Sequence, residues 1–283
     1  MVKDVVFEPH YDFFIDKTEK RTFYNMDFFH MHKKYEIYYL LEGSRKYFID
    51  DSIYLVNSGN LVLIDADAVH KTANMGDIPH SRIVINFSQS FIDDFSIHLK
   101  SMDLTSIFKT KFTVLPLSFK YKLIIEGILN RLVEVGIEKP DDHKVLLQLL
   151  LSELLIMTKE YIEILKEKEY DSHQIVNTKV DKILKYISAN YSDELTLTSI
   201  AEKFYISPFY LSKIFKKSTN LSIVEYINSL RIREAKELLE RSSVKIADIA
   251  EKVGFSSSSH FSRTFKLVTG LSPQQYRKYY STK

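Results

Sequence analysis

Two segments near the end of the chain carry long cationic side chains in corresponding positions. Lys213, Lys216 and Lys217 lie in the first segment, and Arg263 and Lys266 lie in the second. Ammonium and guanidinium groups bind phosphate oxygens, and both can reach the O6 and N7 atoms of guanine. These residue types therefore suit contact with a nucleic-acid backbone and with base edges, provided that regular elements present them together.

The two segments belong to an internal repeat in the last third of the chain. Residues 200–203 recur as residues 249–252, and residues 219–222 recur in similar form as residues 269–272. Each copy contains a short amphipathic helix, a brief polar break and a second amphipathic helix. A repeated pair of helices with a short break is the pattern of two helix-turn-helix units.

Local signals place the helices of these units. Thr196 is suited to cap the first helix of the first copy, and Pro208 is suited to begin the second, where its missing N–H group is not needed. In the second copy, Gly254 suits a left-handed turn. Between the copies, a period near 3.6 residues predicts one helix over residues 223–241. At about 28 Å, this helix could hold two recognition helices roughly one DNA turn apart.

The apolar stripe of each second helix defines which side chains remain on its outer face. Leu211, Ile214 and Phe215 form this stripe in the first copy, and Phe261 and Phe265 form it in the second. We expect the outer residues to contact DNA, the long cations reaching bases or phosphates and the small polar residues adding hydrogen bonds. The candidate DNA-contact residues are Phe209, Tyr210, Ser212, Lys213, Lys216, Lys217, Ser257, Ser258, Ser259, Ser262, Arg263 and Lys266.

The chain from about residue 193 to residue 276 resembles the DNA-binding region of the AraC/XylS family of bacterial transcription regulators. The matching strings are residues 207–217, 230–239, 246–255, 261–266 and 269–273. The resemblance implies an all-α domain that binds a double-stranded DNA operator, with RNA polymerase as a further partner. Asn220, Lys245 and His260 depart from the family pattern; of these, Asn220 replaces a glycine but tolerates the left-handed conformation.

Charge supports this interpretation independently. Residues 174–283 carry 18 Lys and Arg against 10 Asp and Glu, whereas the first 173 residues carry 21 against 27. The near-neutral whole therefore hides a basic half and an acidic half. Basic surface attracts phosphates and releases counterions, which gives affinity for nucleic acid without sequence information.

Length and composition bound the remaining possibilities. A chain of 283 residues predicts two domains, which we place at residues 1–166 and 178–283 with a polar linker at residues 167–177. The absence of cysteine excludes disulfides, thiol catalysis and thiolate metal sites. The first residues lack the apolar core of a signal peptide, and the most apolar stretch, residues 145–157, is interrupted by polar side chains. We therefore expect a cytoplasmic protein.

The acidic half changes from a β pattern to a helical one, which predicts a multi-domain α+β protein. Short runs rich in Tyr, Ile, Val and Phe alternate with turn residues and predict a small antiparallel barrel or sandwich. Two amphipathic helices follow, at residues 121–135 and from residue 141 to about residue 169. The predicted strands are residues 35–41, 45–49, 52–56, 61–64 and 82–87.

The β region resembles a cupin domain of the kind that precedes the DNA-binding region in many AraC-type regulators. The first cupin motif matches His30, His32, Glu36 and Gly43. The second matches Gly59, His70 and Asn74, with Asp65 and Asp67 in place of the expected proline and glycine. The resemblance implies a β-barrel that acts as a ligand sensor.

What the cupin residues hold is left open between a metal ion and a metabolite. His30, His32, Glu36 and His70 are the candidate metal ligands, because three imidazoles and a carboxylate suit Mn, Fe, Ni or Zn. Enzymatic cupins use such a set for isomerase or dioxygenase chemistry, which is the alternative function. Sensor cupins often keep the pattern without metal, so we expect no metal, no cofactor and no enzymatic activity.

We expect the barrel instead to bind a small polar metabolite such as a sugar, and the protein to activate transcription of genes for carbohydrate use. Hydrogen-bonding aromatics and a few charges suit such an effector. By analogy with relatives, residues 6–14 form an arm over the ligand. The candidate ligand-binding residues at the barrel mouth are His30, His32, Glu36, Tyr38, Tyr47, His70 and Arg82.

The helix over residues 141–161 is apolar on nearly all sides, whereas a surface helix needs only one apolar stripe. One side can pack on the barrel, and the remainder predicts contact with a second copy of the chain. We therefore expect a homodimer. The candidate dimer residues are Leu147, Leu150, Leu151 and Leu154.

Overall fold

The structure is a computed structural model that describes residues 12–21, 32–66, 68–75, 79–96, 103–168, 179–219 and 221–280. Its first half is dominated by antiparallel strands. Their bounds are β1 (Phe13–Arg21), β2 (Tyr35–Glu42), β3 (Ser44–Ile49), β4 (Ser52–Asn57), β5 (Asn60–Ile64), β6 (His70–Asn74), β7 (His80–Phe87) and β8 (Val114–Pro116).

The strands form two sheets that face each other. The first sheet has the order β1-β7-β2-β5-β8 and the second has the order β4-β3-β6, with every pairing antiparallel. Tyr38, Val62 and Val84 of the first sheet pack against Tyr47 and Val56 of the second. The expected antiparallel β domain is confirmed, as two stacked sheets rather than a closed barrel among the described strands.

Helices cover the outer face of the first sheet. They are α1 (Gln89–Ser96), a short 3-10 helix (Thr105–Lys109), α2 (Phe119–Glu138) and α3 (His143–Glu167). Alternate residues of β2, such as Ile37 and Tyr39, lie in one core with Ile125 and Leu129 of α2. Because both faces of the sheet are covered, six consecutive residues of β2 are buried. The two predicted helices are confirmed as α2 and α3.

The four leucines of α3 that the sequence assigned to a dimer contact are part of this core. Leu147, Leu150, Leu151 and Leu154 are at most 6% exposed, because α3 packs against α2 on one side and against α1 and the 3-10 helix on another. Burial within the protomer accounts for these residues, so the assignment has to be corrected. The apolar residues of α3 that stay open are Val145 and Leu149, 48% and 47% exposed.

The second half of the described chain is helical. Its helices are α4 (Lys179–Asn190), α5 (Leu197–Lys203), α6 (Pro208–Thr219), α7 (Ile223–Arg241), α8 (Ile246–Lys252), α9 (Ser258–Thr269) and α10 (Pro273–Tyr280). The pairs α5–α6 and α8–α9 are the two predicted helix-turn-helix units. The long connecting helix is confirmed with the predicted bounds.

Caps and turns of these helices follow from residue type. The Thr196 hydroxyl accepts a hydrogen bond from the Ser199 N–H group, as expected for a helix cap. Gly254 adopts a φ of 92° in the turn of the second unit. The corresponding residue of the first unit is Tyr205, which adopts a φ of 54° although it carries a side chain. The two turns therefore share a left-handed residue, and only the second uses glycine for it.

Helix α7 belongs to two separate cores. Its first half, including Tyr226 and Leu230, packs with Leu211 and Phe215 of the first unit. Its second half, including Leu239, packs with Phe261 and Phe265 of the second unit. Because one continuous helix enters both cores, it fixes the distance between the two recognition helices.

The outer face of the second sheet packs on the helical half. Phe48, Ile53 and Val69 share a buried core with Ile183 of α4 and Ile227 of α7. Polar contacts border this core. The Tyr226 hydroxyl donates to the Asp50 carbonyl at 2.8 Å, and the guanidinium of Arg233 pairs with the Asp50 carboxylate. Helix α7 therefore contacts the β half directly.

Several predicted features lie outside the described residues. They include His30, Asp67, Asn220, most of the proposed N-terminal arm and residues 169–178 of the proposed linker. The division into two domains therefore stays a prediction. In the part of the chain that is described, no helix combines the length and apolar character needed to cross a membrane.

The glycine in the second turn leads to a stability prediction. A Cβ atom at Gly254 would lie 2.5 Å from the Ser192 carbonyl oxygen and would demand the left-handed conformation of a residue that disfavours it. We expect Gly254→Ala to lower the free energy of unfolding by about 1–3 kcal/mol. Gly127→Ala, in the exposed middle of α2 with nothing near its Cβ, should raise it by about 0.5–1 kcal/mol. Urea unfolding followed by circular dichroism tests both, and shifts of equal sign would contradict this account of Gly254.

Candidate nucleic-acid interface and effector site

Helix α6 buries one stripe and leaves a cationic face open. Leu211 and Phe215 are fully buried, which turns the opposite side of the helix outward. Phe209 is 79% exposed at the start of this face. The residues lining a shallow depression on it are Phe209, Ser212, Lys213, Lys216 and Lys217. All predicted contact residues of the first unit therefore lie on one accessible surface.

Helix α9 has the same construction. The Ser257 hydroxyl caps it by accepting a hydrogen bond from the His260 N–H group, and Phe261 and Phe265 are buried. Arg263 and Lys266 are exposed, as are the serines at positions 257–259, whereas Ser262 is half-buried. The edge of the His260 ring packs on Phe255, 5.4 Å between centroids, so this ring is partly taken up by packing. The twelve predicted contact residues thus occupy the outer faces of corresponding helices.

The space between the two sheets contains a second group of functional side chains. At the end where β2 begins, His32, Glu36 and His70 converge. The Glu36 carboxylate oxygen Oε2 lies 3.4 Å from His32 Nε2 and 3.5 Å from His70 Nε2. Glu36 and His70 are at most 2% exposed. Of the described residues, these three bring potential metal-ligand atoms within 4.8 Å of one another.

Neighbouring groups hold each member of this cluster in place. His32 Nδ1 lies 2.9 Å from the Lys34 carbonyl oxygen, and His70 Nδ1 lies 2.9 Å from the Ala68 carbonyl oxygen. The Glu36 carboxylate accepts hydrogen bonds from the Tyr47 hydroxyl at 3.2 Å and from the Asn86 side-chain amide at 2.9 Å. The cluster is therefore oriented by its surroundings before any ligand arrives.

Electrostatics within the cluster favour charge separation. Burial alone would raise the pKa of Glu36, but His70 and His32 hold it well below its usual value. Burial alone would lower the pKa of His70, but the Glu36 carboxylate and the Ala68 carbonyl raise it. An ionised carboxylate thus sits in a buried site, where it requires a nearby positive charge.

The opposite end of the intersheet space is cationic, which the sequence analysis did not anticipate. Arg45 is fully buried in β3, and its Nε atom donates to the Thr72 hydroxyl at 2.7 Å. Its terminal nitrogen contacts the Asn74 side chain and lies 3.2 Å from the His80 ring nitrogens. The available signal was the alternation of Arg45 with inward-facing Tyr47 on one strand.

Two tyrosines lie between these ends. The rings of Tyr38 and Tyr47 meet edge to face with centroids 4.9 Å apart, and the guanidinium of Arg82 lies 5.9 Å from the Tyr38 ring. Burial raises the pKa of Tyr38 to about 12, although Arg45 and Arg82 oppose the change. Its hydroxyl has no hydrogen-bond partner among the described residues.

Six of the seven predicted ligand residues therefore share one interior. His32, Glu36, Tyr47 and His70 are in mutual contact, and Tyr38 and Arg82 follow deeper between the sheets. His30 lies outside the described residues. All but His32 are buried, so they line an enclosed space rather than the rim of an open mouth.

Comparison with known proteins matches both halves of the chain. Residues 200–279 match a family model described as a helix-turn-helix domain, and residues 21–154 match one described as an AraC-like ligand binding domain. The Msm operon regulatory protein of Streptococcus mutans is 32% identical over 260 residues, which cover 86% of this chain and 84% of that protein. The regulatory protein PocR of Salmonella typhimurium is 40% identical over 102 residues, covering 36% of this chain and 34% of that protein. The crystal structure of ToxT from Vibrio cholerae covers 96% of this chain and 99% of that chain at 19% identity, with a TM-score of 0.38.

The buried guanidinium of Arg45 leads to a prediction about stability. Arg45→Met keeps the length of the side chain but leaves its polar partners Thr72, Asn74 and His80 without their donor. We expect the free energy of unfolding to fall by about 1–3 kcal/mol, since buried polar groups without partners lose their hydration uncompensated. Arg131→Met, on the exposed side of α2, should change it by less than about 0.5 kcal/mol. Equal effects of the two changes in urea unfolding would rule out a structural role for the Arg45 network.

Proposed function

The chain belongs to the AraC family of transcription regulators, and we propose that it recognises a specific double-stranded DNA operator through α6 and α9. The observation that carries this proposal is the pair of exposed cationic faces on two helices fixed by α7. The relative that matches over most of the chain is a regulatory protein. We accordingly assign the protein a regulatory role and no catalytic one.

Side-chain chemistry divides the two faces into roles. Arg263 and Lys213 are our candidates for base contacts, because they are exposed, long and able to donate to guanine O6 and N7. Lys216, Lys217 and Lys266 lie toward the ends of their helices and suit phosphate contacts. The remaining polar and aromatic residues would add base or thymine-methyl contacts, and they are Phe209, Tyr210, Ser212, Ser257, Ser258, Ser259 and Ser262.

We further propose that a small polar metabolite, such as a sugar, is bound between the two sheets and controls the regulator. The support is chemical, since the enclosed interior offers a carboxylate, imidazoles, guanidinium groups and a tyrosine hydroxyl without a partner among the described residues. Such groups recognise hydroxyl-rich or anionic molecules. In this proposal the protein acts as an activator of carbohydrate-use genes and works with RNA polymerase.

A homodimer completes the proposal. Val145 and Leu149 lie one turn apart on α3 and are nearly half exposed, so they offer an apolar patch to a second copy. Two regulators joined in this way would place four helix-turn-helix units on one operator.

The DNA contacts are tested by comparing two cationic residues. Arg263→Ala should weaken binding to a duplex selected from a random pool by about 1–3 kcal/mol and relax specificity at one position. Lys217→Ala should weaken selected and random duplexes evenly and lower the slope of affinity against salt by about one. Lys120→Ala, on the exposed start of α2, serves as the control and should leave binding unchanged. Equal losses on selected and random duplexes for Arg263→Ala, measured by fluorescence anisotropy, would reject its role in base recognition.

The dimer surface is tested on the same helix. The double change Val145→Lys and Leu149→Lys adds two charges to the exposed patch, so we expect monomers in sedimentation velocity at micromolar concentration with the fold retained. Glu153→Lys, also exposed on α3, is the charge-matched control and should leave the dimer intact. A monomeric unmodified protein would end the dimer proposal.

A further inference from the structure

We propose that His32, Glu36 and His70 bind one divalent transition-metal ion of the zinc class, and that this ion acts as an effector by strengthening the contact between the β half and α7. Only the effector part rests on the proposed DNA-binding function. The sequence led us to expect no metal, and the geometry of the side chains changes that expectation.

Distances within the cluster match the edges of a metal coordination shell. The Glu36 Oε2 atom lies 3.4 Å from His32 Nε2 and 3.5 Å from His70 Nε2. Ligands at about 2.0–2.1 Å from a tetrahedral zinc ion are separated from one another by roughly 3.3–3.4 Å. One ion can therefore reach all three atoms with little movement of the protein, and the fourth position remains for water or another ligand.

The orientation of the two imidazoles points the same way. Each Nδ1 atom lies 2.9 Å from a backbone carbonyl oxygen, of Lys34 for His32 and of Ala68 for His70. A carbonyl oxygen only accepts, so each Nδ1 carries the hydrogen and each neutral ring presents its Nε2 lone pair to Glu36. A hydrogen bond from the outer ring nitrogen to a carbonyl is the arrangement that orients histidine for metal binding.

The carboxylate is supported in the same manner. The Tyr47 hydroxyl donates to one oxygen of Glu36 and the Asn86 amide donates to the other. Three converging lone pairs in a buried site repel each other unless a cation lies between them. Either a proton on one imidazole or a metal ion can serve, and only the metal uses all three ligand atoms together.

The first route from the cluster to α7 runs through the residue before His70. Val69 and Asp50 exchange hydrogen bonds, with the Asp50 N–H group donating to the Val69 carbonyl at 2.7 Å and the Val69 N–H group donating to the Asp50 carboxylate at 3.2 Å. Asp50 is also the residue that holds Arg233 and accepts the Tyr226 hydroxyl. A fixed His70 therefore fixes the partner of two α7 side chains.

The second route runs through the residue after His32. The Lys33 ammonium lies 2.6 Å from the Glu240 carboxylate at the end of α7 and 4.5 Å from the centre of the Tyr280 ring in α10. Glu240 also accepts the Tyr276 hydroxyl at 2.7 Å. Both histidine ligands thus adjoin contacts to the helical half, one to the middle of α7 and one to its end.

These routes give the ion a way to distinguish two arrangements of the protein. An effector shifts an equilibrium only when it binds one arrangement more tightly, and the coupling is reciprocal. Metal ligation orders the segments that carry Lys33 and Val69, so the ion favours the arrangement in which α7 is docked. Conversely, the contacts of α7 must raise the affinity for the ion.

The metal site is tested by calorimetric titration of Zn²⁺ into the full chain after removal of metal with a chelator. We expect saturation at one ion per chain. His32→Gln and Glu36→Gln should each weaken binding by more than the roughly 10–100-fold caused by loss of an outer partner. His143→Gln, a histidine outside the cluster at the start of α3, is the control and should bind normally.

Thermal unfolding of the unmodified protein with and without Zn²⁺ provides a readout that needs no variant, and the ion should raise the midpoint. Absence of saturable binding, or binding that survives both ligand changes, would overturn the metal site. A proton shared between Glu36 and His70 would then account for the cluster.

The coupling is tested with changes confined to α7. Arg233→Gln and Glu240→Gln remove the partners of Asp50 and Lys33 without touching the cluster, and each should lower Zn²⁺ affinity by about fivefold or more. Arg241→Gln, an exposed cation of the same helix that pairs only within α7 in its described contact with Glu237, should not. Normal Zn²⁺ affinity in both variants would overturn the coupling.

The effector role is tested on a duplex selected by the unmodified protein. Zn²⁺ should change the affinity for this duplex by about fivefold or more in the unmodified protein and not in His32→Gln. No change in the unmodified protein would overturn the effector role. If no duplex can be selected, the proposed function fails, and the Zn²⁺ titrations still decide the site and its coupling to α7.

Discussion

The structure depends on one helix being shared by two hydrophobic cores. Tyr226 and Leu230 bind α7 into the first helix-turn-helix unit, and Leu239 binds it into the second. Since an α-helix rises 1.5 Å per residue and resists bending, the two units cannot change their separation without leaving one of these cores. The spacing of the recognition faces is therefore a property of packing, and the exposed cations contribute chemistry to a geometry that is already set.

The β half is organised by three different surfaces. The outer face of the first sheet is covered by α2 and α3, and the outer face of the second sheet is covered by α4 and α7. With both outer faces apolar and covered, the polar residues are left between the sheets, where Glu36 and Arg45 are buried at opposite ends. Burying charge is costly unless it is paired, so a polar interior of this kind indicates a binding function rather than a stabilising one.

Residue periodicity was sufficient wherever an element buries one regular face. The bounds of α7 and the start of α6 at Pro208 follow from apolar spacing and proline chemistry alone. Strands β2 to β5 and β7 were predicted from aromatic and β-branched runs. Strand β6 was missed because its residues, including Lys71, are polar by type, although the fold buries them through contacts far apart in the sequence.

The remaining gaps in the sequence interpretation have the same cause. The apolar sides of α3 were assigned to a partner chain because a sequence does not show how many neighbours a helix has, and four neighbouring surfaces bury Leu151 within one protomer. Arg45 was overlooked because a lone arginine in a strand is usually exposed, and only the pairing of β3 with β6 brings it to Thr72 and Asn74. The metal-type geometry of His32 and His70 likewise depends on backbone carbonyls that no motif contains.

The central claim is that α7 holds two DNA-reading helices at a fixed separation. Hydroxyl-radical footprinting of the unmodified protein on a duplex selected from a random pool tests it most directly. The account predicts two protected segments for each chain on one face of the duplex, with centres about 10–10.5 base pairs apart. A single protected segment per chain, or two whose separation varies from one selected duplex to another, would contradict it.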